Sequence, residues 1–417
     1  MFSTGARVNR SVRETGRRTL VLGLPQASAD SMGLFLGPVH PVLRGSTRVV
    51  LEVEGESIRA VDVQVGFLHR GFEKEAETVP VDQIFSLVER MSPLSPLLAA
   101  FGYALALERL FDVTHLVPVR ARLLRVIVAE LSRMADHLTC VGTTALALGA
   151  SNAFFLLMDA RARLWNLLEA MAGPRLGPSY LCVGGVTRAP TSSWVADLRA
   201  RLPPLRRLVG RAERMLGGNP VFRERMAGVA VIDRAQVAPF GLSGPVARAS
   251  GVAVDVRKDA PYGDYESFAF DVPVGSAGDN WDRYAVRMEE VRQSLRIVEQ
   301  AARELGAGPL RHEDARWSLP PKAECPTPHE LSPAHESLVF DGPRVPAGEV
   351  YQPLEAANGE LGFGLVSDGS ARLVKCRVRS PSFAHAAMLA EVLPGHFVAD
   401  VVPAFASLNI VGAECDR

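Results

Sequence analysis

From residue 37 to about residue 66, apolar and polar positions alternate: STRVVLEVEGE and SIRAVDVQVGF are rich in β-branched residues and flank Glu54 and Gly55. A period of two broken by a glycine predicts two antiparallel strands with one buried face. Beyond Pro80 the period lengthens. Leu124, Val128, Leu131 and the Met134/Ala135 pair recur at helical steps, with Arg125, Glu130, Arg133 and Asp136 between them, the pattern of an amphipathic helix. Helices are predicted over 96–110, 120–146, 155–171, 192–216 and 280–305, packing as a bundle. The stretch 320–346 is rich in Pro and His and predicts a surface loop. Strand character returns in GELGFGLVSDGSARLVKCRVRSP, and a helix over 383–392 precedes an apolar tail. No internal repeat is found. The expectation is an α+β, mainly helical fold. It comprises an arm (1–34), a β-unit (35–79), a helical body (80–318), and a second β-unit with the tail (319–417), with 35–417 integrated as one domain.

The 417 residues are 47% hydrophobic, enough for a sizeable core. Lys plus Arg (46) equals Asp plus Glu (46), so no global field draws the chain to nucleic acid. Arg7, Arg10, Arg13, Arg17 and Arg18 make the one skewed stretch, read as a solvated or partner-contacting arm. The short apolar run 20–24 is followed by Pro25 and polar residues, unlike a secretory leader. No window offers the roughly 18 apolar residues of a membrane span. The chain is therefore expected on the cytoplasmic side, held at any membrane by partners. Cys140, Cys182, Cys325, Cys376 and Cys415 are scattered without a CxxC pair, which argues against a zinc site, a disulfide framework or a resident iron–sulfur cluster.

No phosphate loop, HExxH or GxSxG elbow occurs, and Gly184 and Gly185 lack a dinucleotide-site context. Three segments stand out. In Gly37-Pro38-Val39-His40-Pro41 the prolines stiffen a loop around His40; taken alone, this is a turn that contains a histidine. In Gly66-Phe67-Leu68-His69-Arg70-Gly71 an imidazole and a guanidinium lie between two glycines ahead of a helix start; a fixed charge there would serve as an ion-pair partner or would bias a nearby redox centre. Glu89-Arg90-Met91-Ser92-Pro93-Leu94-Ser95 opens the bundle.

These segments, with LEVEGE, AELSRMADHL, LALGASNAFF, ASGVAVDVRKDAPY, FDVPVGSAGDNWDRYAVRMEEVRQSLRIVEQ, VPAGEVYQPLEAANGELGFGLVSDGS, RSPSFAHAAML and the final SLNIVGAECDR, occur in the order found in one family. From about residue 37 to 417 the chain resembles the D-type (49-kDa-type) subunit of respiratory complex I, of the nickel–iron hydrogenase large-subunit superfamily. The resemblance implies a hydrogenase-like bundle forming part of a quinone pocket beside a partner's iron–sulfur cluster. It also implies activity only within a proton-translocating NADH (or ferredoxin) to quinone oxidoreductase. The implied partners are the cluster-bearing small B-type subunit, the C-type and I-type subunits and the H-type membrane subunit, with FMN and clusters in partner subunits and no metal or flavin on this chain. The implied place is the cytoplasmic face of the inner (plasma) membrane, peripherally bound. The alternative is a non-catalytic coupling subunit of a hydrogenase-related complex that reduces no quinone.

Hydrogenases carry paired thiolates where this chain has Ser92 and Ser95, and the second pair is expected over 402–407, also without cysteine. Hydroxyls are hard ligands that do not replace bridging thiolates on soft metals, so hydrogenase activity is excluded. By resemblance His40 is the catalytic histidine of the quinone pocket, joined by Arg44, Arg90, Ser92 and Ser95. Arg70, His69 and Gly177 are placed near the partner cluster. Arg90 is read as replacing the family's tyrosine and Arg44 its second histidine. The THALDLGA motif reads Thr143 to Ala150 without its histidine or aspartate, Gly177 replaces a histidine, and Cys182 an arginine. The scaffold matches and the site departs, so altered quinone chemistry or proton coupling is expected.

Overall fold

A computed structural model describes residues 31–40, 43, 46–314, 316–318 and 333–417. The basic arm, Arg44, Cys325 and most of the Pro- and His-rich stretch lie outside the described residues. The first sheet runs β1 (Met32–Leu36), β2 (Arg48–Glu54) and β3 (Ser57–Gln64), antiparallel and in that order. Its last two strands are the alternating pair expected from the sequence; β1 is an addition to it.

Short α1 (Phe72–Ala76) and α2 (Ile84–Met91) lead into α3 (Pro96–Leu110), α4 (Val119–Ala147) and α5 (Ser151–Ala172). A two-residue hairpin, β4 (Leu181–Cys182) and β5 (Gly185–Val186), precedes α6 (Ser192–Gly217). Short helices α7 (Pro220–Glu224), α8 (Arg234–Val237), α9 (Gly244–Ala249) and α10 (Val256–Asp259) lead to α11 (Asn280–Glu304). Asp279 caps α11 by accepting from the Asp282 backbone N–H at 2.8 Å. After α12 (Pro333–Phe340), a helix inside the predicted loop, an antiparallel sheet forms from β6 (Gly348–Ala356), β7 (Gly359–Ser367) and β8 (Lys375–Arg379). Three helices end the chain: α13 (Pro381–Val392), α14 (Val401–Leu408) and α15 (Gly412–Cys415). The α+β, mainly helical class stands.

Helix α4 is the bundle axis, packed by α5, α11, α3 and α14. Its polar positions therefore do not face water: Arg125 is 2% exposed, and Glu130, Arg133 and Asp136 are 0% exposed. The second sheet lies on α3, where the missing side chain of Gly102 lets Leu354 and Phe363 pack close, a Cβ there standing 2.3 Å from Leu354 Cδ2. The two ends of the chain share a smaller core. Val49, Leu51 and Ile58 of the first sheet pack with Leu389, Phe405 and Leu408 of the C-terminal helices. That union carries the last residues back to the opening of the bundle.

Candidate functional site

Ser92 ends α2 and Ser95 precedes α3, with Pro93 and Pro96 setting the break between the helices. Both side chains are buried, with their oxygens 3.2 Å apart. Ser92 donates to Glu414 Oε1 at 2.9 Å, and Ser382 of α13 donates to Glu414 Oε2. Ser95 donates to Asp136 Oδ2 at 2.9 Å, and Asn409 Nδ2 donates to Asp136 Oδ1 at 2.8 Å. The result is an unbroken chain of buried oxygens, Glu414–Ser92–Ser95–Asp136. This segment pairing corrects the sequence reading. The stretch that closes on the serines is the C-terminal turn at Glu414; Ser407, in the stretch expected there, turns instead to Asn280 and Arg283.

As a metal cradle the site does not fit the superfamily's nickel–iron group. Its donors are hydroxyls and carboxylates, each already engaged in a hydrogen bond, whereas that group needs bridging thiolates. As a proton-holding chain the fit is better. Burial raises the Glu414 carboxyl to about 7, against the lowering effect of hydrogen bonds from Ser382 and Ser92, and the Asp136 charge adds to the rise. A carboxyl so placed exchanges its proton near neutral pH, with hydroxyls on which a proton can be passed.

Glu89 is a second such group. It is buried on α2, with Oε1 accepting from Ser179 N–H at 2.9 Å and Oε2 facing Gly177, whose absent Cβ would stand 3.8 Å away. Burial raises this carboxyl to about 7 against that backbone hydrogen bond and the Arg90 charge. Gly177, where the resemblance expects a histidine, is thus packed against α2.

Of the remaining expected residues, His69, Arg70 and Arg90 lie at the surface. The loop Gly66 to His69 is clamped by the C-terminus: Gly66 N–H and Leu68 N–H donate to the Asp416 carboxylate at 2.6 and 2.7 Å, and His69 Nδ1 is 3.1 Å from the Asp416 carbonyl. His69 and Arg70 are exposed on that loop beside the partly exposed Phe67 and Leu68. Arg90 is exposed and donates to the Ser86 carbonyl at 2.8 Å, apart from the buried serines. His40 is half-buried in the loop after β1, its carbonyl accepting from Leu43 N–H at 3.1 Å. Arg44 lies outside the described residues. Sequence reasoning missed Glu414, Asp136, Asp416 and Glu89. Asp136 was visible in the sequence only as one of the polar positions between the apolar residues of α4.

The family described as respiratory-chain NADH dehydrogenase, 49 Kd subunit, matches residues 147–417. Similar proteins include a D-type NADH-quinone oxidoreductase subunit of Sorangium cellulosum, 44% identical over 93% of this chain and 96% of that relative. The D-type subunit of the Myxococcus xanthus oxidoreductase is 42% identical over 93% of this chain and 92% of its own length. Its counterpart in Pelobacter propionicus is 40% identical over 92% and 94% respectively.

Proposed function

The chain belongs to the 49 kDa subunit family of respiratory-chain NADH dehydrogenases, and on that premise we propose that it works as the D-type subunit of an NADH–quinone oxidoreductase, forming part of the quinone pocket. The relatives are named as quinone oxidoreductase subunits, which disfavours the reading as a coupling subunit that handles no quinone. Among the described residues no helix is long and apolar enough to cross a membrane, so attachment runs through partners: the small cluster-bearing B-type subunit, the C-type and I-type subunits and the H-type membrane subunit, at the cytoplasmic face. The exposed loop bearing His69 and Arg70 and the Gly177 turn are the surfaces offered to the cluster-bearing partner.

The observation that supports the site assignment is the buried chain Glu414–Ser92–Ser95–Asp136, two residues from the Asp416 carboxylate that clamps the 66–69 loop. Reduction of a quinone to quinol takes two electrons and two protons. The electrons come from the partner cluster; this chain orients the head group and supplies protons. His40 is the hydrogen-bonding and proton-donating residue of the pocket, with Arg44, Arg90, Ser92 and Ser95 as its other members. Protonated Glu414 donates toward Ser92, Ser92 toward Ser95, and Ser95 toward Asp136. Glu414, raised to about 7, is the group of this chain that holds an exchangeable proton near the pocket.

The test is His40→Ala in the assembled complex. An orienting acid–base group contributes roughly 100-fold, so quinone turnover is expected to fall by about that factor while the subunit still assembles. Unchanged turnover with intact assembly would remove His40 from the mechanism.

A further inference from the structure

The two carboxyls that burial raises to about 7, Glu89 and Glu414, differ in where a bound proton can go. At Glu89 one oxygen accepts from the Ser179 N–H, and the other, Oε2, is buried without a partner among the described residues. A proton there has no onward hydrogen bond. Glu414 instead meets a hydroxyl at each oxygen, Ser92 at Oε1, 2.9 Å away, and Ser382 at Oε2.

The two hydroxyls are not equivalent. A serine has one O–H to donate and two lone pairs with which to accept. Ser382, the second residue of α13 and fully buried, accepts from the Val411 N–H at 3.2 Å. Its own proton has one acceptor among the described residues, Glu414 Oε2. Were Oε2 to carry the Glu414 proton, one of the two facing O–H groups would be left in the interior without an acceptor, which is costly. Ser382 therefore keeps Oε2 as an acceptor in both ionisation states.

Ser92 is able to turn. Its oxygen lies 2.9 Å from Glu414 Oε1 and 3.2 Å from Ser95 Oγ, and either serine can donate across the second contact. With Glu414 ionised, Ser92 donates to Oε1. With Glu414 protonated, Oε1 donates to Ser92, Ser92 turns to Ser95, and Ser95 donates to Asp136 Oδ2. Every O–H of the chain has an acceptor in both states.

We infer that Ser382 is a positioning residue: by donating to Oε2 and accepting from Val411, it places the exchangeable proton of Glu414 on Oε1, the oxygen that faces Ser92. One hydroxyl thereby ties the residue before α15 to the first turn of α13. The inference rests on the reading of Glu414 as the proton-holding group of the pocket. The charged and titratable groups around Glu414 leave this arrangement in place. Asp136 of α4 raises it, Arg417 lowers it, and Cys415 follows it on α15. His385, one turn beyond Ser382 on α13, is pushed down to about 3 by burial and stays neutral. On α2, Glu89 turns toward Gly177 and Arg90 is exposed.

The test uses Ser382→Ala in the assembled complex and follows the infrared band of the protonated carboxyl that Glu414→Gln removes. The carbonyl oxygen of protonated Glu414 is Oε2, so loss of its donor is expected to move the band to higher frequency. The carboxylate also loses a donor, and the titration midpoint of the band should rise by about one pH unit. Proton donation follows acid strength, so kcat with a short-chain quinone should fall by up to about 10-fold at unchanged KM. Ser382→Thr keeps the hydroxyl and should restore frequency, midpoint and kcat together. A band unmoved in frequency and midpoint overturns the inference, as does Ser382→Thr behaving like Ser382→Ala, or turnover that depends on Glu414 and not on Ser382. Full turnover in Glu414→Gln would instead sink the reading on which the inference rests, and is told apart because the band still shifts in Ser382→Ala.

Discussion

Two buried polar regions of this protein are built from the same residue types and behave oppositely. Behind α4, Glu130, Asp255, Glu290 and Glu355 are interleaved with Arg133, Arg248 and Arg257. At the bundle opening, Glu414 and Asp136 are joined through Ser92 and Ser95 and form no ion pair with an arginine among the described residues. In the first region burial alone would raise Glu290, but Arg248 and His137 outweigh it and hold that carboxyl far below its ordinary range. In the second, burial wins and Glu414 rises to about 7. At Glu290 the guanidinium and imidazole neighbours fix the carboxylate's charge. At Glu355 of the same network burial still raises the carboxyl against Arg248, and at Glu414 hydroxyl neighbours leave it free to exchange a proton. The first region is scaffold; the second has the properties needed beside a reaction that consumes protons.

The largest effect should come from breaking the scaffold. Arg248 donates to Glu290 at 2.7 Å and lies 2.9 Å from Glu355 Oε1, all of them buried. Arg248→Met leaves two carboxylates in the interior without their cation, a defect that costs about 3–5 kcal/mol. Denaturant unfolding and recovery of the chain in the assembled complex would measure it. A loss under about 1 kcal/mol would show that this network is not the fixed, charge-balanced body contrasted with the site.

The difference between the regions also governs what could be read from sequence. The helices 96–110 and 280–305 were legible nearly to the residue because their period and caps are local. Strand β6 was missed because Pro353 interrupts its pattern; as an edge strand it tolerates the missing N–H. The arginine–carboxylate network was half legible. Glu130 and Arg133 stood out as charges, but the helical period alone assigned them to a wet face, and only enclosure of α4 on all sides reverses that. The serines were found through resemblance. Their partner Glu414 was not, because it is 322 positions from Ser92 and no local pattern connects them.

A somewhat smaller effect should separate the regions by pH. Glu414 has an ordinary value of 4.5 and is raised to about 7 in the folded protein, so the folded chain binds the proton more tightly. Below about pH 4.5 both states are protonated and no penalty arises. Between about 4.5 and 7 the unfolded chain releases its proton first, and stability falls as pH rises, by roughly 3 kcal/mol in total. Glu414→Gln should remove that slope, seen as a flatter stability profile between pH 4.5 and 7, and it should lower quinone turnover. An unchanged slope would mean that Glu414 titrates like the carboxylates of the paired network.

Interrupting the hydroxyl bridge is milder. Ser95→Ala removes the link between Ser92 and Asp136 while Asn409 still holds Asp136. The stability cost should be about 1–2 kcal/mol, yet turnover of the assembled complex should fall about 10-fold or more if protons move along this chain. A stability loss with full turnover would reduce the serines to packing.

The smallest effect sets the floor for the comparison. Arg163 and Asp159 form a bidentate pair on α5 with the same chemistry as the buried network, at 3.0 and 3.1 Å, but both side chains are about half exposed. Water screens the attraction and already solvates each partner, so Arg163→Ala should cost no more than about 0.5 kcal/mol. The gap between this value and that for Arg248→Met isolates burial as the cause, since the bond type is shared. Should the exposed pair prove as costly as the buried one, the contrast between the two interior regions would have to rest on geometry instead of on desolvation.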